Sequence, residues 1–152
     1  MKAAIALALF SLGSITTVLV FATPAHAHGE APRKRKVSST ERAMLDVVAK
    51  RTAAYNKHDI EAFAATYDKD VRVYEYPDKF LGKGVERMKA IFGPQFAAGE
   101  GRIVVHRQLV LENTVVSDET VTAYGKSEHN IGVYTIRDGK IVEVRLIEPQ
   151  DS

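Results

Sequence analysis

Four stretches in the C-terminal half constrain the fold more than anything else in this chain. RIVVHRQLVLENTVV, ETVTAYGKSE, NIGVYTIR and KIVEVRLIE follow one another from Arg102 onward and are rich in β-branched residues. Such runs read as long antiparallel strands, with SDE at Ser117–Glu119 and RDGK at Arg137–Lys140 as turn signals. Asp138-Gly139 is a strong two-residue hairpin turn. Ahead of these strands the period changes. Ser38 and Glu41 have the spacing of a capping box, and Leu45, Val48, Thr52 and Tyr55 then mark one helix face through about Asn56. Asp59 is a good N-cap for a short second helix that buries Phe63 and Tyr67. A strand follows at Val71–Pro77, then a loop at FLGKG. A third helix runs over Val85, Met88, Ile91 and Phe92; Gly93-Pro94 closes it, or Gln95–Ala98 continues it. Helix, helix, strand, helix and then long strands is an α+β order, a curved sheet with helices packed on one side.

The N-terminus belongs to a different class. Lys2 precedes an apolar run from Ala3 to Ala22, and Ala25-His26-Ala27 supplies small residues at a cleavage spacing. This is the pattern of a secretory signal peptide over residues 1–27, with an uncleaved anchor as its rival. The 152 residues contain no cysteine, so an exported domain of this kind rests on its core alone. Four positive charges, Arg33, Lys34, Arg35 and Lys36, sit in a Pro/Gly/Ser-containing arm over residues 28–39. From Val37 onward acidic residues outnumber basic ones, 18 against 16, so no nucleic-acid surface is expected. The expected organisation is signal peptide 1–27, basic arm 28–39, one domain over 40–148 and a tail at 149–152. A periplasmic or secreted location follows, with no membrane attachment after cleavage.

VRVYEYP, from Val71 to Pro77, carries the chemical question. In a strand Val71, Val73 and Glu75 share one face, and Arg72, Tyr74 and Tyr76 share the other. If the valines face the interior, Glu75 follows them inward near the strand's end. A carboxyl among apolar groups is a candidate acid or base, because burial penalises its charge. If the faces are reversed, the tyrosines fill the core and Glu75 is wet.

AAYNKHDIEAFAATYDKDVRVYEYP, GKGVERMKAIF and the ending VYTIRDGKIVEVRLIE together resemble the nuclear transport factor 2-like superfamily, in particular its SnoaL-like and ketosteroid-isomerase-like bacterial members. The resemblance spans about residues 40 to 148. It implies a cone-shaped curved antiparallel sheet wrapped around N-terminal helices, a pocket for an apolar small molecule, and a homodimer. It does not imply one activity, because that fold hosts isomerases, cyclases, dehydratases, hydrolases and silent binders. An ungapped match from Asn56 and Asp59 puts Glu75 at the position of the isomerases' proton-moving aspartate. Two departures argue against steroid isomerisation. The oxyanion-binding tyrosine's position is Arg51, and the region of the protonated aspartate reads His129-Asn130-Ile131-Gly132.

Other candidates are fewer. His106 sits among valines in a strand where many SnoaL-like proteins carry a histidine, and it could share proton transfer with Glu75 or be an ordinary strand histidine. Tyr55, Val73, Tyr134 and Arg51 are the expected pocket wall, the tyrosines serving equally well as core. No metal-ligand spacing, nucleophile motif, phosphate loop or dinucleotide fingerprint appears, so no cofactor or metal is expected. Two functions remain open: a cofactor-independent isomerase, lyase or hydrolase using Glu75, perhaps with His106, or a non-catalytic domain that binds a small molecule or a protein.

Overall fold

The structure, a computed structural model, describes residues 36–147. The expected signal peptide, most of the arm and the tail lie outside the described residues. Three helices, α1 (Ser39–Asn56), α2 (Ile60–Ala64) and α3 (Val85–Ala97), accompany six strands. These are β1 (Tyr67–Glu75), β2 (Lys79–Lys83), β3 (Arg102–Leu111), β4 (Thr114–Ala123), β5 (Lys126–Arg137) and β6 (Lys140–Ile147). They form one sheet in the order β2-β1-β6-β5-β4-β3. All neighbours are antiparallel except β1 and β6, so the sheet is mixed rather than wholly antiparallel. The first strand is inserted beside the last, which closes one side of the cone.

The helix starts are dictated locally. Ser38 Oγ accepts from the Glu41 N–H at 3.1 Å, and Glu41 Oε2 accepts from the Ser38 N–H at 2.7 Å. This is the reciprocal cap read from the sequence. Asp59 Oδ1 accepts from the Ala62 N–H at 2.9 Å and opens α2. Between the two helices Asn56 does something its polarity alone does not announce. Its side-chain amide takes both the N–H of Ile103, at 2.7 Å, and the C=O of Ile103, at 2.9 Å. A side chain thus imitates a neighbouring strand and pins the end of α1 to the start of β3. His58 bonds the Gly101 carbonyl next to it at 2.9 Å.

Two turn and boundary readings change. FLGKG is not a loop but the edge strand β2, paired with β1 through Tyr74↔Phe80 and Glu75↔Lys79. Of the two readings of α3, continuation holds: Gly93-Pro94 does not close it, and it runs to Ala97. Ser117–Glu119 is not a turn: it lies in the middle of β4, and the turns fall at Glu112-Asn113 and Tyr124-Gly125. Glu112 and Tyr124 adopt left-handed φ values of 53° and 51°, which those tight reversals require. Asp138-Gly139, at 51° and 71°, is the hairpin turn expected.

The core lies between the concave sheet face and the helices. Val48, Phe63, Val71, Val115, Tyr134 and Ile141 are fully buried there. Tyr55, Phe63, Phe92 and Phe96 meet edge to face, with ring centres 5.1 Å apart for Tyr55 and Phe96 and for Phe63 and Phe92. Because Asn56 replaces a strand's hydrogen bonds, Asn56→Leu leaves the Ile103 amide and carbonyl unpaired. Its expected cost is about 2–3 kcal/mol in denaturant unfolding, well above the effect of an exposed substitution.

Candidate functional site

Arg51 follows Val48 by three residues and precedes Tyr55 by four, so it points with them off the buried face of α1. On β4 the inward positions are Val115, Ser117 and Glu119, each essentially without exposure. Where these two elements meet, an arginine and a glutamate face each other inside the cone. Arg51 Nη1 lies 3.3 Å from Glu119 Oε2, and both residues are buried.

Two phenols complete the cluster. Arg51 Nε donates to the Tyr67 hydroxyl at 3.2 Å, and the Tyr134 hydroxyl donates to Glu119 Oε1 at 2.9 Å. The guanidinium also stacks over the Tyr134 ring, 4.9 Å from its centre, with Tyr55 and Phe63 each at 5.8 Å. Burial works against the Arg51 charge, but Tyr134, Tyr67 and Glu119 outweigh it and raise its pKa well above the ordinary value. Burial pushes the Tyr67 phenol up and the Tyr134 phenol up further. Near neutral pH the cluster therefore presents a guanidinium and two protonated phenols around the Glu119 side chain. Tyr67 keeps an O–H beyond the bond it accepts.

Small residues make room for this arrangement. Gly132 lies on the inward face of β5, and a Cβ there would come within 2.4 Å of the Tyr134 hydroxyl. The ring can lie across the strand only because that position is empty. At the other side Tyr55 accepts from Gln95 Nε2 at 2.9 Å. Two buried polar atoms near these elements, Thr52 Oγ1 and Asn130 Oδ1, have no partner. Asn130 is directly opposite Glu119 in the β4–β5 register.

The residues singled out from the sequence divide into two groups. Arg51, Tyr55, Val73 and Tyr134 are all buried in the interior. Glu75 and His106 are not brought together. Val71 and Val73 face inward, which answers the question of faces. Glu75 stands at the strand's end with about 35% of its side chain exposed, its carboxylate 2.9 Å from Lys79 Nζ. A dry setting for this carboxylate is thus not what the structure has. His106 is exposed and bonds Thr120 Oγ1 at 2.8 Å. Thr120 alternates with the inward Glu119, so His106 lies on the outer sheet face beside His129, Asp118 and Arg107. The β3–β4 register shifts between Val105 and Arg107, and this irregularity is what upsets simple strand parity at His106. His129 and then Arg107 hold the Asp118 carboxyl below its usual range.

Sequence reading does not single out Glu119 and Tyr67 as members of this cluster: it puts Tyr67 in the second helix and Glu119 in a turn, whereas they lie in β1 and β4. The signal for Glu119 was present as the alternation of Val115, Ser117, Glu119 and Val121, which a turn assignment at SDE interrupts. Among the described residues no three histidine, cysteine or carboxylate side chains come together as a metal site, and no helix is long and apolar enough to cross a membrane.

Comparison with known proteins places this geometry. Residues 48–144 match the model of the SnoaL-like domain. No curated protein sequence matches the chain. Similar solved structures include an NTF2-like protein of unknown function from Cytophaga hutchinsonii, with 18% identity and a TM-score of 0.62 over 76% of this chain and 94% of that one. A protein assigned as a SnoaL-like polyketide cyclase from Jannaschia sp. has 17% identity and a TM-score of 0.63 over 74% and 89%. An LEH-like epoxide hydrolase from M. tuberculosis has 16% identity and a TM-score of 0.60 over 71% and 84%.

Removing one partner of a buried ion pair strands the other, so Arg51→Met is expected to cost about 3–5 kcal/mol. Arg51→Met combined with Glu119→Leu and Tyr134→Phe removes all three polar partners at similar volume and should recover most of that loss. Chemical denaturation of the two variants checks the pair: equal destabilisation would mean that the cluster is not energetically coupled.

Proposed function

Because this chain belongs to the SnoaL-like domain family, we propose that it is an exported domain that binds a small, mostly apolar molecule inside its cone. The Arg51–Glu119–Tyr134–Tyr67 cluster fixes one oxygen-bearing group of that molecule. The observation that carries this reading is the separation of the two acid/base candidates. Glu75 is tied to Lys79 at the strand's end and His106 lies on the outer face, so they do not form one catalytic pair. The interior instead offers aromatic walls, a spare phenol proton on Tyr67 and an unpartnered acceptor on Asn130. An apolar lining with a few convergent polar groups suits recognition of a carbonyl or hydroxyl on a hydrophobic frame. Export rests on Lys2, the apolar run and Ala25-His26-Ala27. A second copy packs on the outer sheet face, where Leu109 and Leu111 are more than half exposed.

The second reading is turnover. It is favoured by the position of Glu75, in line with Val71 and Val73 at the end of β1, and by relatives assigned as a cyclase and an epoxide hydrolase. In that case the carboxylate leaves Lys79 when substrate enters and accepts or returns a proton there.

Native mass spectrometry of the protein purified from its export host, followed by extraction, identifies a co-purifying molecule. With that molecule as probe, Tyr67→Phe leaves the Arg51–Glu119 pair intact and removes one donor; binding should weaken about 5–10-fold, equivalent to one hydrogen bond. Glu75→Gln should leave affinity unchanged. Loss of conversion in Glu75→Gln with retained affinity would transfer the assignment to the enzyme reading. N-terminal sequencing of the same material should begin at His28, and a start at Met1 would refute cleavage.

A further inference from the structure

We infer that a trough on the solvent side of α1 is a second ligand site, one that takes an anionic amphiphile: a carboxylate carrying an alkyl chain. It lies outside the cone and does not depend on the interior cluster. The hollow has a volume of about 500 Å³ and is bounded by α1, α2 and the tip of the β5–β6 hairpin. That volume falls within the range of about 300–1,000 Å³ usual for small-molecule sites.

Its shape comes from short side chains. Ala53, Ala62 and Ala65 are exposed, and Ala54 and Val47 form the floor between the two helices. A longer residue at any of these positions would fill the space. At Val47 and Gly139 the trough meets a smaller hollow whose floor is Ala43, Met44 and Ile136 and whose rim carries Glu112 and Asp138, so apolar surface continues along the helix beneath a polar edge. From Val47 to Lys57 it extends about 15 Å, at 1.5 Å per residue. That length suits a single alkyl chain.

The charge is spread along the hollow and is mainly positive. Lys50, Lys57 and Lys140 line the hollow, against the single carboxylate of Asp59. Asp59 is engaged in capping α2 through the Ala62 N–H. Among the described residues neither Lys50 nor Lys57 has an ion-pair partner, and Lys140 donates to the Ala65 carbonyl across the trough. Elsewhere on this domain most lysines are paired, Lys69 and Lys83 with Asp70, Lys79 with Glu75 and Lys89 with Glu61, Lys126 being an exception. Unneutralised ammonium groups over an apolar channel complement a carboxylate with a tail. The concavity admits one chain, whereas a lipid bilayer presents a broad surface to a convex helix.

Titration of the purified full chain with decanoate, followed by amide chemical shifts, tests the assignment. Shifts should cluster on Lys50–Lys57, Ala62–Thr66 and Gly139–Lys140. Lys50→Glu with Lys57→Glu should weaken decanoate binding at least tenfold, and Ala62→Leu should weaken it at least fivefold by filling the trough. Decyltrimethylammonium, which has the tail without the anion, and acetate, which has the anion without the tail, should each bind at least tenfold more weakly than decanoate. Equal binding of the two decyl compounds, or affinity unmoved by either variant, overturns the proposal; adsorption to the apolar N-terminal run would give that second result. Binding to phosphatidylglycerol vesicles without decanoate binding would overturn it in favour of a membrane surface.

Discussion

The buried pairing of Arg51 with Glu119 organises the interior of this domain. A charge moved out of water is tolerated only when it is matched, and here the match uses two elements far apart in sequence. Arg51 comes from the first helix and Glu119 from the fourth strand. Their meeting fixes how deeply α1 seats in the sheet. Tyr67 and Tyr134 add one hydrogen bond each from β1 and β5, so four elements converge on one set of hydrogen bonds. Gly132 belongs to the same constraint, since any side chain there would displace the Tyr134 ring from Glu119.

Such an arrangement is a poor way to gain stability alone. Leucine and methionine of similar volume would fill the same space without the desolvation cost, and buried pairs replaced in this way often leave a protein as stable or more so. What the polar cluster supplies is a fixed electrostatic field in an otherwise apolar interior. Arg51 already has Glu119 as its partner, so the guanidinium does not depend on an ionic ligand. The tyrosine pKa values, raised by burial, keep both phenols as donors over the physiological range. The proposed binding of a neutral polar group draws on these two donors.

The fold was legible because its signals are local. The capping box at Ser38 and Glu41, the N-cap at Asp59 and the turn at Asp138-Gly139 each act within four residues, and each was found as read. The site was less legible because its signals are not. The spacing from Val48 and to Tyr55 puts Arg51 on the buried face of α1, but the partner that permits its burial, Glu119, stands 68 positions later. Reading SDE as a turn then hid Glu119, since serine, aspartate and glutamate look like loop residues when taken by composition. The alternation with Val115 and Val121 was the better evidence, because a strand's inward positions are set by period rather than polarity. β2 escaped for a related reason: with Gly82 and two flanking lysines, an edge strand protected against further pairing looks like a loop.

Glu75 shows where such reasoning stops. Strand parity placed it correctly in line with Val71 and Val73, but parity says nothing about how far the neighbouring chain extends to cover it. Coverage depends on β2, which turns back at Lys79 and sets an ammonium directly opposite the carboxylate. An inward direction at the end of a strand is therefore not the same as a dry environment. The interior carboxylate of this cone is Glu119, because it lies three strands away at mid-strand, roofed by α1 and bonded on both oxygens. Depth within the sheet, rather than direction alone, decides which acid is removed from water and which remains in contact with it.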